Sequence, residues 1–206
     1  MVQPHNYGRF YDKVITDVSA FKTWWYNVAK LYKDNNKVVF DINNEFHTME
    51  QQLVFDLNQA GINGIREAGA TSQWITPEGN SWSGTLDVDP PPSFSSIPLS
   101  ARLILTRLGA WTWVSSGNAA SLGSLKDPQN KLIFQMHQYL DSDGSGTSAN
   151  CVSSTIFQER LVAATNWLKQ NKKLGVLGEF AGGNNQQCID ALIGGLKYLK
   201  ANKDVW

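Results

Sequence analysis

Two hydrophobic periodicities alternate along the chain, and together they predict a set of helices and strands. Apolar residues recur every three or four positions in four segments, which predicts helices over 17–35, 48–69, 154–170 and 188–200. Short, mostly apolar runs between them predict strands over 38–42, 73–76, 131–137 and 175–177. Alternating strands and helices are typical of α/β domains with a parallel sheet.

The helical periodicity also names the expected core residues. These are Val18, Phe21, Trp25, Val28 and either Leu31 or Tyr32 in the first helix, Leu53, Leu57, Ala60 and Ile65 in the second, Leu161, Ala164 and Leu168 in the third, and Leu192, Leu196 and Leu199 in the last. Asp17 or Ser19 is the expected N-cap of the first helix. Thr48 and Gln51 have the spacing of a capping box at the start of the second.

One segment, 85–108, fits neither period and holds four of the seven prolines. The plain interpretation is a long insert loop, although loops of this length are uncommon in compact domains. A second hypothesis is a translated, unspliced intron. Codons for Gly84-Thr85 can supply a GT donor, those for Leu108-Gly109 an AG acceptor, and those for Leu105-Thr106 a branch point. Splicing at these sites would remove the 24 intervening codons and merge Gly84 and Gly109 into one glycine, which leaves the continuous sequence EGNSWSGAWTW.

Composition narrows the function classes. The 206 residues suit one domain or part of a larger one, and the net charge of zero gives no indication of a nucleic-acid or membrane partner. Eight Trp, six Tyr and nine Phe suit either a well-filled core or a surface that stacks on sugar rings. Residues 1–5 lack the features of a signal peptide, so we expect either an intracellular protein or a missing N-terminal segment. Cys151 and Cys188 are either a disulfide or two buried thiols.

Two of the predicted strands end on a glutamate. KVVFDINNEF (37–46) delivers Glu45 after two asparagines, and KLGVLGEFAGG (173–183) delivers Glu179. The carboxyl ends of parallel strands meet at one edge of a sheet, and glycoside hydrolysis needs two carboxyl groups that face one bond. Either glutamate alone is better explained as a helix cap. Both together, with His137 and Tyr139 at a third strand end, favour catalysis.

Metal-binding patterns are weak by comparison. DSDGSGT (141–147) resembles a calcium loop, but position twelve, which needs a glutamate, is Val152. The histidines and cysteines do not have zinc-site spacing, so we expect neither a metal nor a cofactor. Trp82, Trp111 and Trp113 are candidates for a sugar-stacking platform, with core packing as the alternative.

Five motifs in order resemble fungal endo-β-1,4-glucanases (cellulases) of glycoside hydrolase family 5. They are HNYGRF (5–10), INNEF (42–46), EGNSW (78–82), MHQYLDSDGSGTS (136–148) and GEFAGG (178–183), and the resemblance covers nearly the whole chain except 85–108. It implies an α/β fold of the (β/α)8 TIM-barrel type and an endo-acting, retaining hydrolysis of β-1,4-glucan.

The resemblance also implies roles for individual residues. Glu45 becomes the acid/base on strand 4 and Glu179 the nucleophile on strand 7. The expected substrate-binding residues are His5, Asn44, Asn80, Trp82, Trp113, His137 and Tyr139, of which His137 lies beside the acid/base and Tyr139 bonds the nucleophile. Cys151 and Cys188 fall where relatives form a disulfide, which favours a secreted protein.

The chain departs from the family pattern at both ends. We expect residues 1–206 to form a single, incomplete catalytic domain with strands 4–7 and flanking pieces, lacking strands 1–2, most of 3, and 8. An arginine of strand 2 and a tryptophan of strand 8 have no counterpart. The alternatives are a catalytically inactive β-glucan-binding fragment, or a related β-mannanase or xyloglucanase. Open sheet edges predict poor solubility or self-association.

Overall fold

The protein is described by a computed structural model that covers residues 1–81 and 110–206. The proline-rich segment 85–108 and Trp82 lie outside the described residues. The intron hypothesis therefore stays a prediction, which a cDNA retaining the 24 codons would contradict. Within the described ranges, no helix is both long and apolar enough to cross a bilayer.

Strands and helices alternate as the periodicity predicts. In chain order they are β1 (Arg9–Phe10), β2 (Lys13–Val14), α1 (Val18–Tyr32), β3 (Val39–Asp41), α2 (Gln51–Glu67), β4 (Trp74–Thr76), a 3-10 turn (Ala110–Thr112), α3 (Asn118–Leu122), β5 (Ile133–Tyr139), α4 (Ile156–Asn171), β6 (Leu174–Ala181) and α5 (Gln186–Ala201). All eight predicted elements are present. The antiparallel β1–β2 hairpin and the short α3 were not predicted.

The four strands β3 to β6 run parallel and form an arc. β3 pairs with β4 and β5 pairs with β6, while the bridges Ile75–Leu132 and Glu78–Gln135 connect β4 to β5. Val2 bridges to Phe40 beyond β3. At the other end, the Gly175 N–H donates to the Val205 carbonyl at 2.7 Å. Among the described residues the arc does not close into a barrel.

Helix starts and ends have local causes. α1 begins after Asp17, whose carboxylate accepts the Ala20 N–H at 2.8 Å, as predicted. The capping-box prediction is wrong, because Glu50 is the N-cap of α2 and Thr48 has a left-handed φ of 51°, which an extended cap does not adopt. α2 ends two residues before Gly69, whose φ of 88° suits glycine.

The predicted apolar faces hold for the two central helices. Leu57, Ala60 and Ile65 of α2 are buried, and so are the three predicted residues of α4. The prediction is wrong for Leu31 and its alternative Tyr32, which are 78% and 39% exposed, and for Leu196, which is 48% exposed. Each lies on a side of its helix that no described element covers, so periodicity alone placed them in a core that is absent there.

A disulfide joins Cys151, in the loop after β5, to Cys188 in the first turn of α5. The Cα atoms are 5.4 Å apart. The alternative of two free thiols is therefore wrong. The bridge fixes the loop that follows β5 against the helix that follows β6.

Candidate active site

Glu45 lies just beyond β3 on a backbone held from three directions. The buried Ile42 carbonyl accepts the indole N–H of Trp25 at 3.2 Å, and the Asn44 N–H donates to the Pro4 carbonyl at 3.1 Å. Glu45 itself has a φ of 47°, and its N–H donates to Glu78 Oε2 at 2.8 Å. A left-handed conformation is unusual for a residue with a side chain, so these contacts fix where the Glu45 carboxylate points.

Glu179 lies on β6, directly after a β-bulge in that strand. Met136 pairs with Leu177 and His137 pairs with Glu179, so Gly178 is an extra residue on β6. A Cβ at Gly178 would lie 2.7 Å from the Gln135 side chain, which explains the glycine. Such bulges re-aim the side chains that follow them.

His137 brings the two glutamates together. Its Nδ1 is 2.8 Å from Glu45 Oε1 and 3.6 Å from Glu179 Oε2. One oxygen of each carboxyl group and the imidazole nitrogen lie within 4.8 Å of one another. Two carboxyl groups at this separation can address the same small group of atoms.

Tyr139 completes the group by donating its hydroxyl hydrogen to Glu179 Oε2 at 2.7 Å. Burial, together with the adjacent Glu179 carboxylate, raises the pKa of Tyr139 above its ordinary value. The phenol therefore stays protonated near neutral pH and keeps its role as donor.

Asn44 and His5 form the polar rim beside Glu45. The Asn44 Nδ2 and His5 Nε2 atoms are 3.4 Å apart, and the Tyr7 hydroxyl is 3.5 Å from the same imidazole nitrogen. Asn44 is buried and His5 is exposed. The structure thus gathers six of the predicted site residues at one edge of the sheet, namely His5, Asn44, Glu45, His137, Tyr139 and Glu179.

The family model described as cellulase (glycosyl hydrolase family 5) matches residues 1–206, the whole chain. The chain belongs to glycosyl hydrolase family 5.

Named relatives of this family 5 chain are fungal. It is 52% identical over 206 residues to the probable endo-beta-1,4-glucanase B of Neosartorya fischeri, covering all of this chain and 54% of that protein. It is 51% identical to endoglucanase 3 of Humicola insolens, of which it covers 46%. The chain therefore spans about half the length of these relatives.

Solved family 5 structures resemble the fold. An endo-beta-1,4-glucanase from Xanthomonas axonopodis pv. citri matches with a TM-score of 0.84 and 36% identity over 100% of this chain and 59% of its own. XacCel5A, solved in complex with cellopentaose, matches with a TM-score of 0.84 and 34% identity, and the match covers 100% of this chain and 60% of XacCel5A. Cel5A (EG2) from Hypocrea jecorina matches with a TM-score of 0.81 and 32% identity, and the match covers 99% of this chain and 56% of Cel5A. The chain is thus a partial α/β fold with TIM-barrel neighbours in family 5.

Trp113 packs into the core, so the described residues give no support to the predicted substrate contact, which stays a prediction. Its side chain is fully buried, with ring centroids 6.0 Å from Phe134 and 5.6 Å from Trp167. It fills the core under the sheet. Trp111 is 36% exposed, and the Arg160 guanidinium carbon lies 4.5 Å from its ring centroid, so of the candidate tryptophans described it alone offers an accessible face.

The side chain of Asn80 hydrogen-bonds to backbone groups of neighbouring loops. Its side chain donates to the Met49 carbonyl at 2.5 Å and accepts the Ser81 N–H at 2.9 Å. Asn118 bonds its backbone on both sides. The amide therefore shapes the loop after β4 and does not support the predicted sugar contact.

Sequence reasoning missed a pair of buried carboxyl groups beneath Glu45. Asp41 ends β3, and Glu78 follows β4 by two residues. Burial raises the pKa of Asp41 to about 6. Burial, with the neighbouring Asp41 carboxylate, raises the pKa of Glu78 well above its ordinary value. The sequence contains a signal for Glu78, because WITPE (74–78) is a third apolar run that ends on a carboxylate.

The loop 141–147, which resembles a calcium loop in sequence, is held together by hydrogen bonds to the Asp141 carboxylate. Asp141 accepts hydrogen bonds from the Gly146 N–H at 3.0 Å, the Ser148 N–H at 3.1 Å and the Ser145 hydroxyl at 3.2 Å. Burial alone would raise the pKa of Asp141, but these bonds hold it below its ordinary value. Its carboxylate therefore has its partners within the loop.

Among the described residues, the group with metal-ligand proximity is Glu45, His137 and Glu179. His137 and Glu45 bond each other, and Glu179 bonds Tyr139. Protein partners thus account for the arrangement, and the predicted absence of a metal stays a prediction.

Proposed function

We propose that this chain carries the catalytic centre of an endo-acting, retaining β-1,4-glucan (cellulose) hydrolase. Glu179 is the nucleophile and Glu45 the acid/base. The observation that carries the proposal is the pair of carboxyl groups flanking His137, with one oxygen of each within 4.8 Å of the other. Retaining glycosidases hold their carboxyl groups about 5–5.5 Å apart, whereas inverting enzymes leave about 6.5–9.5 Å for a water molecule.

In the first step, a Glu179 oxygen attacks the anomeric carbon as the glycosidic C–O bond breaks, and Glu45 gives its proton to the leaving oxygen. Because Glu45 Oε1 bonds His137 Nδ1 at 2.8 Å, the other oxygen carries that proton. In the second step, Glu45 takes a proton from water, and the hydroxide oxygen displaces Glu179 from the sugar. Tyr139 stabilises the Glu179 carboxylate before attack and after release.

A β-1,4-glucan substrate is supported by the relatives' names and by the cellopentaose bound to XacCel5A. Asn44 binds the 2-hydroxyl of the sugar next to Glu45, and His5 lines the same subsite. The names do not favour β-mannan or xyloglucan. We propose no cofactor and neither a nucleic-acid nor a membrane partner.

We also propose which barrel strands the chain contains and that the protein is exported. β3 to β6 correspond to barrel strands 4–7, with Val2 at the position where strand 3 would end and Val205 at the position where strand 8 would begin. Strands 1 and 2, most of 3, and 8 are then the ones this chain lacks. The Cys151–Cys188 disulfide supports export, because disulfides persist in oxidising compartments.

The test is release of reducing sugar from carboxymethylcellulose by the 206-residue chain. Glu179→Gln is the active-site variant, and Glu67→Gln, at an exposed position of α2, is the matched control. We expect activity in the wild type and the control and none in Glu179→Gln. Activity that survives Glu179→Gln contradicts the assignment. Binding to cellulose without hydrolysis would instead identify an inactive β-glucan-binding fragment, and parallel assays on β-mannan and xyloglucan decide the substrate.

The stereochemistry is checked separately. A retaining enzyme releases the β-anomer first, which proton NMR of early products from a cello-oligosaccharide detects. An initial α-anomer would show inversion and would overturn the nucleophile role of Glu179.

A further inference from the structure

Asp41 and Glu78 form a compact buried pair beneath Glu45. Gln135 Nε2 donates to Asp41 Oδ2 at 2.7 Å and to Glu78 Oε1 at 2.5 Å. The Gln3 amide nitrogen donates to the same two oxygens, at 3.3 Å to Glu78. Both carboxyl groups are almost fully shielded from solvent. Two amide nitrogens therefore hold one oxygen of each acid side by side.

Within residues 1–81 and 110–206, no lysine or arginine pairs with either acid. The nearest basic atom is His137 Nε2, 3.8 Å from Glu78 Oε1, and the other ring nitrogen bonds Glu45. Adjacent buried carboxylates without a cation cannot both stay ionised. One of the two must carry a proton.

The hydrogen-bond pattern indicates which acid carries it. Asp41 Oδ1 is buried and has no hydrogen-bond partner among the described residues, so a proton placed on that oxygen would have no acceptor. Glu78 Oε2 accepts the Glu45 N–H, which leaves Oε1 as the oxygen that faces Asp41. The raised pKa of Glu78, caused first by burial and then by the Asp41 charge, agrees with this placement.

We propose that Glu78 is a positioning residue that works as a neutral carboxylic acid, donating its O–H to Asp41 while it accepts the backbone N–H of Glu45. The role rests on the proposed function, because Glu45 is the acid/base only in that mechanism. Glu78 contacts neither the substrate nor the reacting atoms. It holds the left-handed backbone of Glu45, so that the carboxyl group stays against His137.

The charged and titratable groups around the pair come from each neighbouring element. Asp41 lies on β3, Glu45 beyond β3, His137 and Tyr139 on β5, and Glu179 on β6. A neutral Glu78 leaves a single negative charge, on Asp41, in the layer beneath the catalytic groups. An ionised Glu78 would add a second charge next to the Glu45 carboxyl group.

The kinetic test compares Glu78→Gln with Glu78→Leu. Glutamine keeps an acceptor for the Glu45 N–H and a donor for Asp41, so we expect kcat within about fivefold of wild type. Leucine keeps neither, and we expect kcat to fall about 100-fold with a smaller change in KM, as displaced catalytic groups do. Equal losses in the two variants would overturn the proposal, because they would show that the negative charge matters.

Two readouts are independent of activity and separate this proposal from the function. At neutral pH the infrared carbonyl band of the buried Glu78 carboxylic acid is expected in the wild-type minus Glu78→Gln difference spectrum, where any band of a protonated Glu45 cancels because both proteins contain it. The amide proton resonance of Glu45 is expected to stay in place in Glu78→Gln and to move upfield in Glu78→Leu. If the wild-type and Glu78→Gln spectra show the same carbonyl absorption, the proposal fails even when the enzyme is active. If band and resonance behave as expected in an inactive chain, only the proposed function fails.

Discussion

At the residue scale, the centre depends on single hydrogen bonds made directly to each of the two glutamates. The Tyr139 hydroxyl and the His137 imidazole each bond one of the two glutamates directly. No lysine or arginine among the described residues pairs with Glu45 or Glu179. Hydrogen bonds to a charged group are worth more than those between neutral groups, so single donors matter here.

Tyr139→Phe tests the hydrogen bond to Glu179, the proposed nucleophile. The change removes one hydrogen bond to Glu179 and almost no volume. We expect kcat/KM on a soluble cello-oligosaccharide to fall about 10- to 100-fold, as for loss of a bond to a charged group. Tyr198→Phe, on α5, is the control and should leave kcat/KM unchanged. A Tyr139→Phe enzyme with wild-type kinetics would show that the bond does not act in catalysis.

Asp41 makes stability depend on pH. Burial raises its pKa to about 6 in the folded protein, so the folded state holds the proton more tightly than the unfolded state. That contribution is complete below pH 4 and is lost as the pH rises through about 6. We expect the wild type to lose up to about 3 kcal/mol over this window and Asp41→Asn to lose less. Urea unfolding at pH 4 and pH 7 measures the difference, with Asp190→Asn as an exposed control. If the free energy of unfolding changes by the same amount between pH 4 and pH 7 in the wild type and in Asp41→Asn, the predicted contribution of Asp41 is contradicted.

How far residues can be predicted from sequence depends on what identifies them. Glu45 and Glu179 end apolar runs, and sheet geometry then brings them together with His137. Trp113 looked like Trp111 in sequence, because nothing local says which of two nearby aromatics turns inward. Glu78 was missed because a buried acid is recognised by its partners, and Gln3 and Gln135 are distant in sequence.

At the element scale, the bulge in β6 sets the position of the Glu179 side chain. Gly178 fits because a side chain there would meet Gln135, and Gln135 cannot move without releasing Asp41 and Glu78. Periodicity found the strand but not the bulge, since one extra residue leaves no mark in an apolar run. The β1–β2 hairpin was missed for a similar reason, since each of its strands has only two residues.

Gly178→Ala is therefore expected to destabilise the protein by about 1–3 kcal/mol through overpacking and to lower kcat. Gly194→Ala is the matched control, because its Cβ meets nothing within 4 Å on α5. Alanine there should be neutral or stabilise by up to about 1 kcal/mol, since glycine is a poor helix former. Urea unfolding of the two variants gives the comparison. Equal stability of Gly178→Ala and wild type would show that Gln135 repacks freely.

At the scale of the whole molecule, the arc has apolar surface at both ends. Ile189, Ile193 and Leu196 form an exposed row on one side of α5 at i, i+4 and i+7. At the other end, a groove of about 560 Å³ lies between the N-terminal segment and α1, with Ile15 and Trp24 in its wall. Surfaces of this kind favour association.

We expect the purified 206-residue chain to self-associate, and Ile193→Lys with Leu196→Lys to reduce that association. Sedimentation velocity measures both, with Lys197→Glu as a control that changes charge on the same helix without removing apolar surface. A stable, monodisperse wild-type monomer would contradict the expectation. The sequence predicted this behaviour from missing strands, and the exposed row on α5 now locates one surface that would take part.

The disulfide has a consequence for proteolytic processing. Cys151 and Cys188 are 37 residues apart, and the segment between them contains α4, β6 and Glu179. A protease that cuts anywhere inside that segment leaves both fragments tied together, so the nicked protein still migrates as one 22.9 kDa species until a reductant is added. A cut between the two glutamates but before Cys151 separates the fragments at once. A cut inside the bridged segment therefore leaves the strand of Glu179 covalently attached to the rest of the chain, whereas a cut between Glu45 and Cys151 leaves the two glutamates on fragments that no covalent bond joins.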